Sequence, residues 1–159
     1  MVDEVVLLID PDELERRRLQ RAFAGEGIEL LEAESAIEGL FETLERDPIL
    51  ILLAEQVPPL EAGELLLVLR RITGAPVIVI GSGDEPEESS ALDLGADFYL
   101  RRPFGDRVAL ARARSLIRRY RGSPRNGNGR SAQGSNPADL NMVPGLSPFR
   151  AGPGQRAAS

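Results

Sequence analysis

The feature that most constrains this chain is a run of branched apolar residues bounded by prolines. Residues 49–53 read Ile-Leu-Ile-Leu-Leu and lead into Ala54, with Pro48 before the run and Pro58 after it. A run this short cannot span a membrane, and it is typical of a strand buried on both faces of a parallel sheet. Functional crevices in such sheets lie just beyond the carboxyl ends of the strands. Ala54 therefore stands where chemistry is usually placed.

Other short apolar segments alternate with helical patterns along the first 120 residues. We predict strands at 5–9, 28–33, 49–54, 77–80 and 98–100. Helices are predicted from about 12 to 24, from the cap at Ser35 to Asp47, and at 65–72, 87–94 and 107–120. This order of strand and helix, repeated five times, predicts an α/β (βα)5 three-layer sandwich with a five-stranded parallel sheet and right-handed crossovers.

The first two helices carry apolar patterns of their own. In the first helix we assign to the core Leu14, Leu19, Ala22 and Phe23. The second helix carries the cleanest amphipathic pattern in the chain, with the spacing i, i+3, i+4, i+7 at Ile37, Leu40, Phe41 and Leu44. Both patterns support helices packed against a sheet.

Composition excludes several kinds of chemistry. The chain has no cysteine, histidine or lysine, so all 19 basic residues are arginines. Disulfides, zinc thiolate sites, a histidine phosphocarrier and Schiff-base catalysis are therefore excluded. Residues 1–120 hold 24 acids and 14 arginines, and an acidic domain is a poor direct partner for nucleic acid. Neither a membrane-spanning stretch nor a signal peptide is evident, so we expect a cytoplasmic protein.

The composition changes after Tyr120. Of the last 39 residues, 21 are Gly, Pro, Ser or Asn, a composition that cannot offset the entropy of ordering. We therefore expect a folded domain over 1–120 and a disordered tail over 121–159. One sparse apolar island in this tail is either a chance cluster or a short docking motif, and it comprises Leu140, Met142, Val143, Leu146 and Phe149.

Three segments carry a resemblance to a known family. They are the stretch Gly-Ala-Asp-Phe-Tyr-Leu-Arg-Arg-Pro-Phe at 95–104, the strand Ala-Pro-Val-Ile-Val-Ile at 75–80, and the proline loop at Pro58. Residues 5–120 resemble, without a gap, the receiver domain of bacterial two-component response regulators. The resemblance implies a chemotaxis-regulator-like, flavodoxin-like fold. It also implies a part in two-component phosphorelay signalling, and we expect a regulatory module that is not an enzyme.

The resemblance also implies where the family's chemistry would lie. The family holds magnesium with two acids, and the matching positions here are occupied by Asp10 and Pro11. The position of the phosphoacceptor aspartate is occupied by Ala54. The position of the family's switch hydroxyl is occupied by Gly81, and that of the lysine before the last proline by Arg102. A methyl group cannot attack phosphorus, and one carboxylate is a poor magnesium site. The hypothesis is therefore a pseudo-receiver with a degenerate pocket and no metal.

Neighbouring residues leave an alternative open. Asp12 lies on the first turn of a helix within reach of the pocket. Glu55 should point away, because side chains alternate along a strand, unless a bulge re-aims it. Ser82 replaces the missing hydroxyl if its loop shifts by one residue. The alternative is a working, magnesium-dependent receiver that uses Asp12 or Glu55. In the favoured picture, Asp10 instead forms an ion pair with Arg102, because a buried acid needs a partner.

A face of the domain, rather than the pocket, is the other candidate for the functional site. The fourth helix is acidic and the fifth is rich in arginine, which suits a two-fold homodimer formed by the fourth helix, fifth strand and fifth helix. The alternative is a solvated surface with weak ion pairs. The residues assigned to this face are Asp97, Tyr99, Arg112 and Arg114. Expected partners are histidine kinases or other response regulators. The tail is too short and too polar for an effector domain, so we expect either a stand-alone module or a chain that ends at a linker.

Overall fold

A computed structural model describes residues 4–122. The predicted disordered tail, apart from its first two residues, lies outside the described residues, and so does its apolar island. The last described helix ends at Arg121, one residue beyond the predicted domain boundary.

Apart from two short strands after the third, the elements alternate between strand and helix, as predicted. In chain order they are β1 (Val5–Ile9), α1 (Glu13–Ala24), β2 (Glu29–Ala33), α2 (Ala36–Arg46), β3 (Leu50–Ala54), β4 (Gln56–Val57), β5 (Leu60–Glu61), α3 (Ala62–Ile72), β6 (Val77–Gly81), α4 (Glu85–Asp93), β7 (Phe98–Arg101) and α5 (Asp106–Arg121). Five strands form one parallel sheet in the order β2-β1-β3-β6-β7. The flavodoxin-like (βα)5 prediction is thereby confirmed.

The segment between β3 and α3 was not predicted. The short strands β4 and β5 pair antiparallel around Pro58 and Pro59. α3 then begins at Ala62, three residues earlier than expected, because Glu61 and Glu64 form a capping box at its start.

The sheet separates two apolar layers. Along β1, Val6 and Leu8 pack with α1 and α5, whereas Leu7 and Ile9 pack with the layer that contains α3. Because successive side chains of a strand point to opposite faces, one continuous apolar run supplies both layers. The run that contains β3 is buried throughout, as its composition predicts.

Three of the four residues in the apolar stripe of α2 face outward, although a stripe with this spacing usually faces the core. Only Leu40 of the stripe is partly buried and packs against the core. The exposed fractions are 67% for Ile37, 59% for Phe41 and 66% for Leu44. The face toward the sheet is instead made of small residues, namely Ala36, Gly39 and Thr43. A Cβ at Gly39 would lie 2.5 Å from Cδ1 of Ile9. Since α2 approaches β1 this closely, its larger side chains are directed away from the sheet.

The prediction that Leu14 belongs to the core was wrong, because its side chain is 77% exposed. Leu19 and Phe23 are fully buried. A helix turns about 100° per residue, so Leu14 lies roughly 180° around α1 from Phe23. The two residues therefore cannot share one face, and the helix buries the larger ring.

Candidate functional site

The residues matched to the family's pocket come together at the carboxyl edge of the sheet. Ile9 pairs with Leu53 and Ala54 with Ile80, so Asp10, Ala54 and Gly81 end three adjacent strands. The backbone N–H of Arg102 donates to the carbonyl of Gly81, which ties the last loop to the same edge. Asp10 is 1% exposed and Ala54 3% exposed.

Asp10 is a buried acid with one incompletely satisfied oxygen. Its Oδ1 accepts a 2.8 Å hydrogen bond from the backbone N–H of Asp12. Its Oδ2 lies 3.8 Å from Nη2 of Arg102 and has no hydrogen-bond partner. Burial raises the pKa of Asp10, while the Asp12 hydrogen bond and the Arg102 charge oppose the rise. The predicted ion pair between Asp10 and Arg102 is confirmed.

Asp12 serves the helix, not the pocket. Its Oδ1 accepts hydrogen bonds from the backbone N–H groups of Leu14 at 2.9 Å and Glu15 at 3.3 Å. Asp12 is therefore the N-cap of α1, which satisfies donors that the helix itself leaves free. Pro11, between the two acids, is exposed.

The expectation that Glu55 points away from the pocket was wrong. Its Oε1 accepts a 3.2 Å hydrogen bond from the backbone N–H of Ser82, and its Oε2 accepts a 2.9 Å bond from the Tyr99 hydroxyl. The backbone N–H of Gly83 donates to the same hydroxyl at 2.9 Å. Because β3 ends at Ala54 and the chain bends at Glu55, the strand alternation no longer applies.

We call this group the Glu55–Tyr99 lock: the two side chains and the backbone N–H groups of Ser82 and Gly83. It fills the space beside Gly81. A Cβ at Gly81 would lie 2.5 Å from Oε1 of Glu55 and nearer still to the Tyr99 hydroxyl. The lock thus occupies the volume that a switch side chain at position 81 would need. Sequence reasoning missed it, although a glycine ending β6 opposite an acid just past β3 was a usable signal.

The lock predicts an altered titration of Tyr99. Burial first, then the hydrogen bond to Glu55, raise the pKa of Tyr99 above 10. Stability from this group is therefore present below the unfolded pKa of about 10 and lost as pH rises through the folded pKa. Glu55→Gln removes the adjacent charge, so we expect the phenol to ionise at lower pH. Absorbance at 295 nm during a pH titration measures this.

Tyr99→Phe is the control that assigns the titration. The absorbance component that moves in Glu55→Gln must be missing in Tyr99→Phe. An unmoved component would mean that Glu55 does not act on the phenol.

Two of the four residues assigned to the interaction face are engaged inside the domain. Asp97 accepts a 2.8 Å hydrogen bond at Oδ2 from the backbone N–H of Val77. Tyr99 is 5% exposed and belongs to the lock. The Tyr99 hydroxyl is therefore not available to a second molecule, whereas Asp97 remains exposed.

The two arginines of that face point in different directions. Arg112 stacks 4.5 Å over the ring of Phe98 on β7, whereas Arg114 forms an ion pair with Glu26, which follows α1. Two residues separated by two positions lie about 200° apart on a helix, so they cannot share one face. The two arginines had been assigned to one face only because they are close in the sequence.

The pocket residues do not fit magnesium. Mg²⁺ is usually held by one or two carboxylates together with phosphate and water. Here Asp10 lies beside the guanidinium of Arg102, and the nearby Asp12 carboxylate caps α1. Among residues 4–122, no cluster of three or more acids, histidines or cysteines has metal-binding geometry. In the same part of the chain, no helix has the length and hydropathy of a membrane span.

Comparison with known proteins finds relatives among bacterial transcriptional regulatory proteins. The chain is 38% identical over 116 residues to the KDP operon transcriptional regulatory protein KdpE of Escherichia coli K12, covering 72% of this chain and 52% of that protein. It is 32% identical over 123 residues to the phosphate regulon regulatory protein PhoB of Pseudomonas aeruginosa, covering 75% and 54%. The chain thus spans about half the length of these curated relatives. No protein-family model matches it.

Solved structures share the fold over nearly their whole length. The receiver domain of a Francisella response regulator aligns with a TM-score of 0.69 at 28% identity, covering 73% of this chain and 98% of that one. A Clostridium difficile two-component response regulator aligns with a TM-score of 0.70 at 23% identity, covering 73% and 97%, which supports the fold alone. By sequence and fold together, the described part of this chain is a receiver domain similar to those of response regulators.

Proposed function

We propose that this receiver domain is a regulatory module of two-component signalling that acts through protein contacts without aspartyl phosphorylation. The observation that carries the proposal is the buried methyl group of Ala54 at the end of β3, where the family has its acceptor. An acyl phosphate requires a carboxylate, and a methyl group offers no nucleophile. The module is a binding protein in this proposal, not an enzyme.

The surroundings of Ala54 support the same proposal. Asp10 is paired with Arg102, and the position of a second metal acid is held by Pro11. The Glu55–Tyr99 lock joins the loop after β6 to the end of β3 through the chain's own carboxylate. A loop held in this way does not need a phosphoryl group to be ordered. We propose that the domain keeps one conformation of this loop and does not switch between two.

The alternative function is a working receiver with a substituted acceptor. Its two candidate acceptors both have other roles in the structure. The Asp12 carboxylate caps α1, and both oxygens of Glu55 accept hydrogen bonds within the lock. Phosphorylation of Glu55 would break at least one of its two hydrogen bonds, and phosphorylation of Asp12 would alter the carboxylate that caps α1, so the geometry favours the first proposal.

The proposed partners are other signalling proteins, namely histidine kinases or response regulators. A homodimer through α4, β7 and α5 is a further proposal, and it would rely on Arg112, since Arg114 pairs elsewhere. The charges on this side are partly satisfied within the chain, because Arg101 of β7 lies 2.5 Å from Glu88 of α4. Direct binding of nucleic acid by this acidic domain is not part of the proposal.

Intact-mass measurement after incubation with acetyl phosphate and Mg²⁺ tests the proposal. We expect no gain of a phosphoryl group in the natural chain. The double variant Ala54→Asp with Pro11→Asp is expected to gain one phosphoryl group in a metal-dependent way, because it restores both missing carboxylates. A phosphoryl gain by the natural chain that disappears in Asp12→Asn or Glu55→Gln would support the alternative instead.

A further inference from the structure

The exposed apolar side chains of this domain are concentrated on one side. Nine large apolar side chains are exposed among residues 4–122, and seven of them lie on α2, α3 and α4. Three form the outward ridge of α2, which comprises Ile37, Phe41 and Leu44. Two more, Leu67 and Val68, lie on α3, the helix that contacts α2. Contiguous exposed apolar surface of this kind marks a binding site.

We propose that the outward faces of α2 and α3 form a two-fold dimer interface with a second copy of this chain. A two-fold interface uses the same patch on both partners, so the patch must be complementary to itself. The two helices meet this requirement because each carries an apolar centre. Near their C-terminal ends, α2 carries the acidic Glu45 and α3 carries the basic Arg71. This inference does not depend on the proposed loss of phosphorylation.

The helix directions fix how the charges meet. α2 and α3 both connect consecutive parallel strands, so both run from the carboxyl edge of the sheet to its amino edge. A two-fold axis parallel to them places α2 of one copy on α3 of the other, in the same direction. Phe41 and Leu67 are each the sixth residue of an 11-residue helix, so a dimer with the starts of α2 and α3 in register brings them to the same level.

The same axis brings unpaired opposite charges together. Glu45 and Arg71 are each the tenth residue of their helix. Both are exposed, and neither makes an ion pair within residues 4–122. In the dimer, Glu45 of each copy faces Arg71 of the other, which gives two symmetric pairs. At the opposite end Glu38 and Glu64 approach each other, but both carboxylates accept backbone N–H bonds near their helix starts.

The size of the patch sets the expected affinity. Two helices of 11 residues are each about 16 Å long, and packed neighbours lie about 10 Å apart. Such a surface gives an interface at the small end of the range, below about 1,200 Å² in total. We therefore expect a reversible dimer of micromolar affinity that is a monomer when dilute.

Sedimentation equilibrium of the full chain measures the association. The weight-average mass should rise from the monomer value of 17.3 kDa toward twice that value as concentration increases. Phe41→Glu should weaken the association at least tenfold, and Leu44→Gln should weaken it by a smaller factor. Both side chains are exposed, so the variants should retain the circular dichroism of the natural chain. Leu14→Glu is the matched control, because Leu14 is also an exposed apolar residue but lies on α1.

Charge reversal tests the predicted pairing. Arg71→Glu and Glu45→Arg should each weaken the dimer several-fold, and the two changes together should restore it. A protein that remains monomeric at all concentrations would overturn the proposal. So would a dimer that survives Phe41→Glu, or one that is broken by Arg112→Glu instead, since that residue lies toward β7.

Discussion

Ala54→Asp is expected to lower the free energy of unfolding by about 3 kcal/mol at neutral pH, in the range found for uncompensated buried charges. Ala54 is 3% exposed, and the neighbouring acid Asp10 already lacks a hydrogen bond to one oxygen. A second carboxylate would have to share Arg102 with Asp10. Urea unfolding followed by circular dichroism measures the loss.

Ala54→Asn is the matched control for this change. It adds nearly the same volume without a charge, so the difference between the two variants isolates the charge. That difference should shrink as pH falls toward 4, because protonation removes the buried charge. Equal destabilisation by Asp and Asn at pH 7 would show that crowding, not charge, is the cause. Adding Pro11→Asp with Mg²⁺ should recover part of the loss, since a metal then neutralises the acids.

Gly39→Leu is expected to lower the free energy of unfolding by about 3 kcal/mol, the upper part of the usual range for overpacking. A Cβ at Gly39 would lie 2.5 Å from Cδ1 and 2.9 Å from Cγ1 of Ile9. Ile9 is fully buried between the sheet and α2, so it has no free space into which to move. Thermal or urea unfolding of the full chain measures this effect.

A double-mutant cycle identifies the clash. Ile9→Ala destabilises by itself, but combined with Gly39→Leu it should cost less than the two single effects together, because the cavity accepts the new side chain. Gly105→Leu is the control, since a Cβ at Gly105 meets nothing within 4 Å. If Gly39→Leu were as well tolerated as Gly105→Leu, the close approach of α2 to β1 would not be required.

The layers of the fold were predictable because the local pattern is unambiguous. The apolar runs of β1, β3 and β6 have no polar face, so each had to be a strand covered on both sides. The alternation with helices then left a parallel sheet as the simple solution. The helix boundaries were less well predicted where a cap was unrecognised, as at Glu61 before α3.

The orientation of α2 could not be predicted from periodicity. The spacing of Ile37, Phe41 and Leu44 shows that they share one face, but not which way that face points. The small residues on the other face decide it, because close packing against Ile9 leaves no room for a larger side chain. The exposed apolar ridge of α2 is the result.

The sequence by itself determined where the pocket residues lie: Asp10, Ala54 and Gly81 at the ends of buried strands, and Arg102 in the last loop. Only the tertiary structure decided what surrounds them. Glu55 turns toward Gly81 because its strand has ended, and Tyr99 meets it from β7, 44 residues away in the chain. Such contacts depend on where the backbone bends and how much space a missing side chain leaves, and neither is encoded in a local pattern.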